Sequence, residues 1–244
     1  TRINALNAGN VDLLLTNRAQ DVANTKDKFP IIKDWNSEKT ILLLNVAEAE
    51  DLSKPRNPMK NVHARRALAY ATNRQALVDL ISFGEEMELS HVPQVKGTKF
   101  EIDESVAPWY EFDQEKARQE IELFKQETGY TEISFILSGL ANPDEIQVMQ
   151  ALAAQWEEVG IKAEISTNEQ TVYIQQLVFG AFQVGFFRNY AYKDLDNDYV
   201  FWDTETAKGL GLLSINFTQY QDEQINEAIE VGRTSPDTEE RKQA

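Results

Sequence analysis

The residue types best suited to binding chemistry follow a short apolar run in the last quarter of the chain. Val184 to Phe187 come soon after Gly180 and are apolar or aromatic, which predicts a buried strand. The groups that come at and after its end are Phe187, Arg188, Asn189, Tyr190, Tyr192 and Asp194. Hydrogen-bonding and aromatic groups just beyond a buried strand are where open α/β sheets hold ligands. We therefore predict a ligand-binding site here; a surface loop after a core strand is the alternative.

The acidic residues in the same stretch partly match a calcium-binding loop. Asp194, Asp196, Asp198 and Glu205 occupy positions one, three, five and twelve of an EF-hand loop. The sixth position, which needs glycine for its sharp turn, is Tyr199. Because a bulky aromatic residue resists positive φ, the pattern disfavours calcium. We expect the aspartates to cap the short helix that begins near Tyr199, or to face ligand or solvent, and we predict no metal or cofactor.

Composition narrows the function classes. The chain has 244 residues and a formal net charge of −16, which argues against nucleic acid and anionic membranes as partners. It contains no cysteine, so disulfides, thiolate metal sites and cysteine nucleophiles are excluded. No phosphate-binding glycine motif is present. Of the two histidines, His63 is predicted to lie on the surface and His91, before Val-Pro, to line a cleft.

Strand and helix patterns alternate along the chain, which predicts an α/β fold with a mostly parallel or mixed sheet flanked by helices. Strands are expected at 11–15, 41–45, 133–137, 161–165, 184–187 and 212–217, and helices at 61–71, 74–83, 114–128, 143–159, 169–179 and 220–231, with 16–40 irregular. Capping residues are predicted at Asn61, Asp113 and Asp237, and an Asn142–Glu145 capping box before the helix at 143.

Seven short segments, in order, resemble the family 5 extracellular solute-binding proteins of ABC importers, which include the dipeptide, oligopeptide and nickel receptors. The segment from Asn57-Pro58 through VHARRALAYATNR resembles "N-P…VRrAlayAiDR". The others are ALNAGNVDL (5–13), FDQEKA (112–117), VGIKAEI (159–165), GAFQV (180–184), the Asn-Tyr-Asp pattern of 214–225, and RTSPDTEER (233–241). Each match is weak alone, but the order and coverage are specific.

The resemblance implies a periplasmic-binding-protein type II-like lobe. Residues 1–40 would be the end of lobe I and residues 41–244 most of lobe II. The chain starts at Thr1 and a predicted helix stops at Ala244, so a fragment is expected. The implied protein is a monomer without enzymatic activity, placed in the periplasm or on the cell surface as a lipoprotein. It would capture a peptide-like solute between two hinged lobes and deliver it to ABC permease transmembrane subunits.

The resemblance also assigns roles to the residues after the strand. In peptide-binding members an aromatic residue and then an aspartate follow, and the aspartate pairs with the peptide α-amine. Asn189 and Tyr192 occupy those two positions here, with Asp194 two residues further on. Asp194 could accept the amine and Arg188 could bind a carboxylate, both through charge-assisted hydrogen bonds. For Arg188, an ion pair with a nearby aspartate is an equal alternative.

Other functions and ligands stay open from the sequence alone. An acidic-residue hydrolase would need two carboxylates of separated pKa in one cleft. A ligand-sensing receptor of the same fold, without a transporter, is the milder alternative. The ligand itself could be a peptide, a sugar, an opine or a metal chelate.

Overall fold

The computed structural model describes residues 2–16, 18–32, 38–47, 57–85, 89, 99–101, 109–190 and 194–244. The helices are α1 (Arg2–Asn7), α2 (Ala19–Thr25), α3 (Val62–Ala71), α4 (Arg74–Ser82), α5 (Gln114–Thr128), α6 (Pro143–Glu157), α7 (Gln170–Val178), α8 (Glu223–Thr234) and α9 (Thr238–Gln243). The strands are β1 (Glu38–Leu44), β2 (Ser134–Leu140), β3 (Lys162–Asn168) and β4 (Val184–Tyr190). Short 3-10 helices cover Pro58–Lys60, Leu195–Phe201 and Thr204–Thr206. Among these described elements, no helix has the length and apolar character needed to cross a bilayer.

The chain divides into two compact units, the first made of residues 1–35 and 74–89 and the second of 36–73 and 90–244. In the first unit the strand predicted at 11–15 is wrong: Leu13 and Leu15 are 82% and 87% exposed. A strand needs a hydrogen-bonding neighbour, and the described part of this unit offers none. The irregular structure predicted for 16–40 is also wrong in part, since α2 forms there and Asp21, buried, accepts a hydrogen bond from the Thr16 hydroxyl. The boundary predicted at residue 40 stays a prediction.

The second unit is built on a four-stranded mixed sheet in the order β1-β4-β2-β3. β2 pairs in parallel with β3 and β4, while β1 runs antiparallel to β4. The mixed α/β sheet and four of the predicted strands are therefore confirmed. The strand predicted at 212–217 is wrong, because its leucines are exposed while Ser214 and Asn216 are fully buried. Asn216 Nδ2 donates to the Tyr220 carbonyl at 2.9 Å, so a side-chain amide holds this segment where a ladder was expected.

Helices cover both faces of the sheet. On one face Trp156 of α6 packs its ring 5.5 Å from that of Phe135, and its Nε1 donates to the Thr72 hydroxyl at 2.9 Å. On the other, α7 approaches so closely that a Cβ at Gly185 would lie 2.9 Å from the Tyr173 hydroxyl oxygen. That hydroxyl donates to the Phe186 carbonyl at 2.8 Å. Glycine at 185 is what lets α7 pack directly on β4.

Most predicted caps are confirmed. Asn61, Asp113, Asn142 and Asp237 each accept hydrogen bonds from backbone amides of the helix that follows. The second half of the predicted capping box is wrong. Glu145 Oε2 accepts from the Leu140 amide at 3.2 Å, whereas the Asn142 amide donates to the Leu140 carbonyl. The Glu145 carboxylate is thus turned towards the ends of the strands, where the candidate site lies.

Candidate ligand-binding site

The candidate site lies where β1 begins and β4 ends. β4 runs three residues further than the predicted apolar strand, through Arg188 and Asn189 to Tyr190. β1 begins correspondingly early, at Glu38, and supplies the antiparallel partners: Glu38 for Tyr190, Lys39 for Asn189 and Thr40 for Arg188. Arg188, Asn189 and Tyr190, expected just beyond the strand, are therefore part of it, because β1 and β4 pair along their full length.

The structure describes some predicted ligand-binding residues and not others. His91 and Tyr192 lie outside the described residues, and Tyr190 is described through its backbone alone. Phe187, Arg188, Asn189 and Asp194 are described with their side chains, and their ligand contacts stay predictions.

Phe187 packs into an aromatic cluster rather than standing apart at the strand end. Its ring centroid lies 5.7 Å from that of Phe217, which in turn lies 5.7 Å from Phe201. Together with Ile41, Leu43, Asn189, Trp202 and Thr218, these rings line a cavity of about 10 Å³, which has room for at most one water molecule. This cluster fastens the strand end to the chain that follows, and the described atoms leave no space in it for a solute.

Arg188 faces the opposite side of the sheet from Phe187 and Asn189, since neighbouring residues of a strand alternate. Its Nε lies 3.1 Å from Glu145 Oε1, and the Glu145 side chain is 6% exposed against 34% for Arg188. The carboxylate that the structure brings to Arg188 therefore comes from α6 and not from the aspartates that follow the strand. Sequence reasoning missed Glu145 because its spacing from Asn142 suggested only a capping role.

Asn189 and Lys39 are cross-strand neighbours on the same face, and both approach Asp198. Asn189 Nδ2 donates to Asp198 Oδ1 at 3.4 Å. Burial raises the pKa of the Asp198 carboxyl, against the opposing effects of the Asn189 hydrogen bond and the Lys39 charge. Burial also lowers the pKa of Lys39 to about 8, although the Asp198 charge acts in the other direction. The strand end thus carries a half-buried amine and a buried carboxyl group.

Lys39 was missed at the sequence level. It stands two residues before the apolar run that begins at Ile41, where the chain reads as irregular and polar. Antiparallel pairing with β4 would have placed it beside Asn189, but the order of the strands could not be read from the sequence.

Asp194 begins the 3-10 helix Leu195–Phe201 and is held by an arginine. Its Oδ1 accepts from the Asp196 amide at 3.1 Å, which confirms the expected capping role, with the helix starting at residue 195 instead of 199. Arg241 Nη2 contacts the two carboxylate oxygens at 2.8 and 3.0 Å. The predicted acceptor of a ligand amine therefore already carries a guanidinium partner.

The neighbouring aspartates are also engaged by side chains of this unit. Asp196 Oδ1 lies 3.0 Å from Arg233 Nε, and the Arg233 guanidinium stacks 3.6 Å from the Tyr199 ring centroid. Within the described parts of the chain, no group of three or more His, Asp or Glu side chains is arranged to hold a metal ion. The three aspartates of the EF-hand pattern instead contact side chains: Asp194 and Asp196 each contact an arginine, and Asp198 contacts the Asn189 amide.

His63 belongs to a separate cluster between α3 and α5, where it is partly exposed. Its side chain is 15% exposed, with Nδ1 2.5 Å from Glu120 Oε2 and Nε2 3.1 Å from Glu127 Oε1. The hydrogen bond with Glu120 is the main reason that the pKa of His63 is raised. Its spacing on α3 could not reveal two acidic partners that lie 57 and 64 residues away.

The sequence model of the bacterial extracellular solute-binding proteins, family 5 (middle region), matches residues 1–209 of this chain. The chain belongs to this family. It is 25% identical over 197 residues to heme-binding protein A of Haemophilus influenzae, covering 77% of this chain and 33% of that protein. It is 29% identical over 135 residues to the oligopeptide-binding protein OppA of Bacillus subtilis, covering 52% of this chain and 24% of that protein.

The fold is that of the periplasmic binding proteins of type II. The crystal structure of the ABC transporter substrate-binding protein CtaP of Listeria monocytogenes superimposes with a TM-score of 0.78 at 16% identity. The match covers 99% of this chain and 47% of that one. This family 5 chain therefore spans about half of the solved protein, and a third or less of the two curated relatives.

Proposed function

We propose that this chain belongs to the substrate-binding component of an ABC importer, which captures a peptide-like solute between two hinged lobes and delivers it to the permease. The observation that carries the proposal is the family 5 match over residues 1–209. The relative named as an oligopeptide-binding protein favours a peptide-like solute. The polar end of β4 gives such a solute hydrogen-bonding groups on a rigid strand.

The geometry of the candidate site supports binding better than catalysis. A hydrolase of the acidic type needs one carboxyl group to act as acid and another as base or nucleophile. Asp194 and Asp196 each contact an arginine guanidinium, an arrangement that suits attachment of the chain and not proton transfer to a substrate. Asp198, whose pKa is raised, is buried against Asn189. We therefore propose that the protein is not an enzyme.

The proposal extends to partners and location. The transmembrane subunits of an ABC permease would be the macromolecular partner, and the protein itself would act as a monomer. The family description, extracellular, supports placement outside the cytoplasm, in the periplasm or at the cell surface as a lipoprotein. Transport of the solute in cells that carry or lack the permease would separate an importer component from a sensing receptor.

The first experiment is native mass spectrometry of the intact protein purified without denaturation. We expect a bound mass that dissociates on activation and sequences as short peptides. A single non-peptide mass, such as heme, a sugar, an opine or a metal chelate, would contradict the peptide class while keeping the receptor. Steady release of peptide fragments from an added peptide, lost in Asp194→Asn, would contradict the binding function and favour the hydrolase.

A further inference from the structure

Two arginines of the C-terminal helices have no role in the proposed function so far. Arg233 lies in the last turn of α8 and Arg241 in α9, at the two ends of the RTSPDTEER segment. Both side chains reach the residues that follow β4, here called the post-strand segment, residues 194–201. The two arginines thus contact two acidic residues at the candidate ligand site.

Arg241 is fixed from several sides. Its Nη2 contacts both oxygens of Asp194, and its Nε donates to the Gly232 carbonyl at 2.5 Å. The guanidinium carbon lies 4.7 Å from the Phe100 ring centroid, and the side chain is 21% exposed. A guanidinium that makes charge-assisted hydrogen bonds and stacks on an aromatic ring has little freedom left. Arg241 is therefore a rigid anchor for Asp194.

Arg233 provides a second, independent attachment of the post-strand segment, at residues that follow Asp194. It contacts Asp196 through Nε and stacks on Tyr199, so it touches the post-strand segment at two residues. Asp194 adds local order within the segment: its carboxylate caps the Asp196 amide, and its carbonyl accepts from Asn197 Nδ2 at 3.0 Å. The segment is thus fastened at its first, third and sixth residues.

The carboxylate of Asp194 is largely used by these contacts. Arg241 approaches both oxygens and the Asp196 amide approaches one of them, so three short contacts at 2.8, 3.0 and 3.1 Å surround it. A carboxylate that already has a guanidinium partner gains less from a ligand ammonium than an uncompensated one, because its charge is balanced. An incoming ammonium would also meet the positive charge of Arg241.

We propose that Arg233 and Arg241 are positioning residues for ligand binding, and that the Asp194 carboxylate is held by Arg241 and does not accept a ligand's ammonium group. The proposal deepens the proposed function and rests on it. Asn189 of β4 contacts Asp198, so the two attachments hold residues 194–201 beside the strand end. The RTSPDTEER segment then serves the site from a distance, through two ion pairs.

The first test measures order in the post-strand segment without any ligand. Hydrogen–deuterium exchange of the amides of 195–201 is compared in the wild-type intact protein, Arg241→Gln and Asp194→Asn. Both variants should exchange faster in this segment. Arg118→Gln is the matched control, since Arg118 is an exposed arginine near Glu115 on α5 and its loss should leave 195–201 unchanged. Unchanged exchange in both Arg241→Gln and Asp194→Asn would overturn the proposal.

The second test separates a positioning role from direct contact with an amine. Trialanine and N-acetyl-trialanine are titrated into the same proteins by calorimetry. If the loss of the contact leaves the segment ordered about a tenth of the time, affinity falls about tenfold, and the loss should be equal for the two peptides. The reversed pair, Asp194→Arg with Arg241→Asp, should recover part of both the affinity and the exchange protection, which a general loss of stability would not permit.

Each outcome bears on one proposal at a time. If Asp194→Asn weakens trialanine alone and leaves N-acetyl-trialanine unchanged, Asp194 accepts the ammonium and the positioning proposal is wrong. If the wild-type protein binds neither peptide, the peptide class of the proposed function is wrong. The exchange experiment still decides whether the contact between Arg241 and Asp194 holds the segment.

Discussion

Two regions of the second unit are held together by different physics. Residues 134–168, which form β2, α6 and β3, are fastened by apolar packing around residues such as Met149 and Trp156, both fully buried. Residues 194–217 contain no strand and few buried apolar side chains; besides the aromatic contacts of Phe201 and Phe217, ion pairs and side-chain amides hold them, with Asp194 and Asn216 as the main polar points of attachment. The first region is a scaffold held mainly by apolar packing, and the second depends in larger part on charge and hydrogen bonds.

The difference shows where a binding site can be tuned. Apolar packing involves no titrating or screened charge, whereas ion pairs at partial exposure respond to both pH and ionic strength. The candidate site therefore joins a strand end to a chain segment whose attachment is in large part electrostatic. Four predictions follow from this contrast, from the largest effect to the smallest.

Removing the central aromatic side chain of the scaffold should give the largest loss of stability. Trp156→Ala deletes a fully buried ring that packs on Phe135 and donates to Thr72. We expect the free energy of unfolding to fall by about 3–5 kcal/mol, measured by urea denaturation. Leu123→Ala, at a 41% exposed position of α5, should change it by less than about 1 kcal/mol. Equal losses would mean that this region is not organised by its core.

Removing one buried amide should weaken the second region by a smaller amount. Asn216 is fully buried, donates to the Tyr220 carbonyl and accepts from the Thr218 hydroxyl at 2.8 Å. Asn216→Ala removes the hydrogen-bonding partner of both groups, so the free energy of unfolding should fall by about 1–3 kcal/mol. Gln224→Ala, an exposed amide on α8, is the control and should have little effect. An effect of Asn216→Ala as small as the control's would contradict the role given to side-chain amides here.

The pH dependence of stability should reveal the half-buried amine at the strand end. The pKa of Lys39 is about 8 in the folded protein and 10.5 in an exposed lysine, so between these values the unfolded chain binds more protons. The contribution of Lys39 to stability should therefore rise as the pH increases from about 8 to 10.5. We expect the wild type to gain stability relative to Lys39→Gln across this window in urea denaturation. A constant difference between the two proteins would contradict the burial of this amine.

The smallest effect is expected for His63, which makes charged contacts between α3 and α5, outside the scaffold. Its folded pKa is raised above 6.5, so its stabilising contribution is complete below pH 6.5 and is lost as the pH rises through the folded value. The difference in stability between wild type and His63→Gln should shrink over that range. Because the chain has only two histidines, an NMR titration of the ring protons with His63→Gln for assignment gives the pKa directly. A His63 pKa at or below 6.5 would show that Glu120 and Glu127 do not pair with it.

The sequence predicted the scaffold well and the electrostatic region poorly, for one physical reason. Alternation at Ile133, Phe135 and Leu137 and the caps at Asn142 and Asp113 are local patterns, and each predicted its element. The arginine contacts to Asp194 and Asp196 join residues more than thirty positions apart, and nothing in local spacing announces such a partner. The strand predicted at 212–217 failed because Leu212 and Leu213 look like core residues, whereas buried Asn216 decides the conformation.

The strand end that carries the candidate site was predicted from the sequence, whereas the contacts of its residues were not, and ligand binding there stays a prediction. The buried run and the polar residues after it are visible in the sequence, and β4 indeed ends among them. The partners of those residues, Glu145 for Arg188 and Lys39 beside Asn189, come from elements whose neighbours only the fold determines.

The short ladder between β2 and β4 has a mechanical consequence. Only two residue pairs join these strands, Leu137 with Val184 and Ser138 with Gly185. Beyond them the Tyr173 hydroxyl binds the Phe186 carbonyl and the Glu145 carboxylate bridges Leu140 and Arg188, so side chains complete what main-chain amides would otherwise do. The sheet therefore consists of two ribbons of paired strands, β1–β4 and β2–β3. They are joined by two residue pairs, here called the seam. We expect any torsion between the ribbons to be concentrated at that seam, where main-chain pairing is shortest.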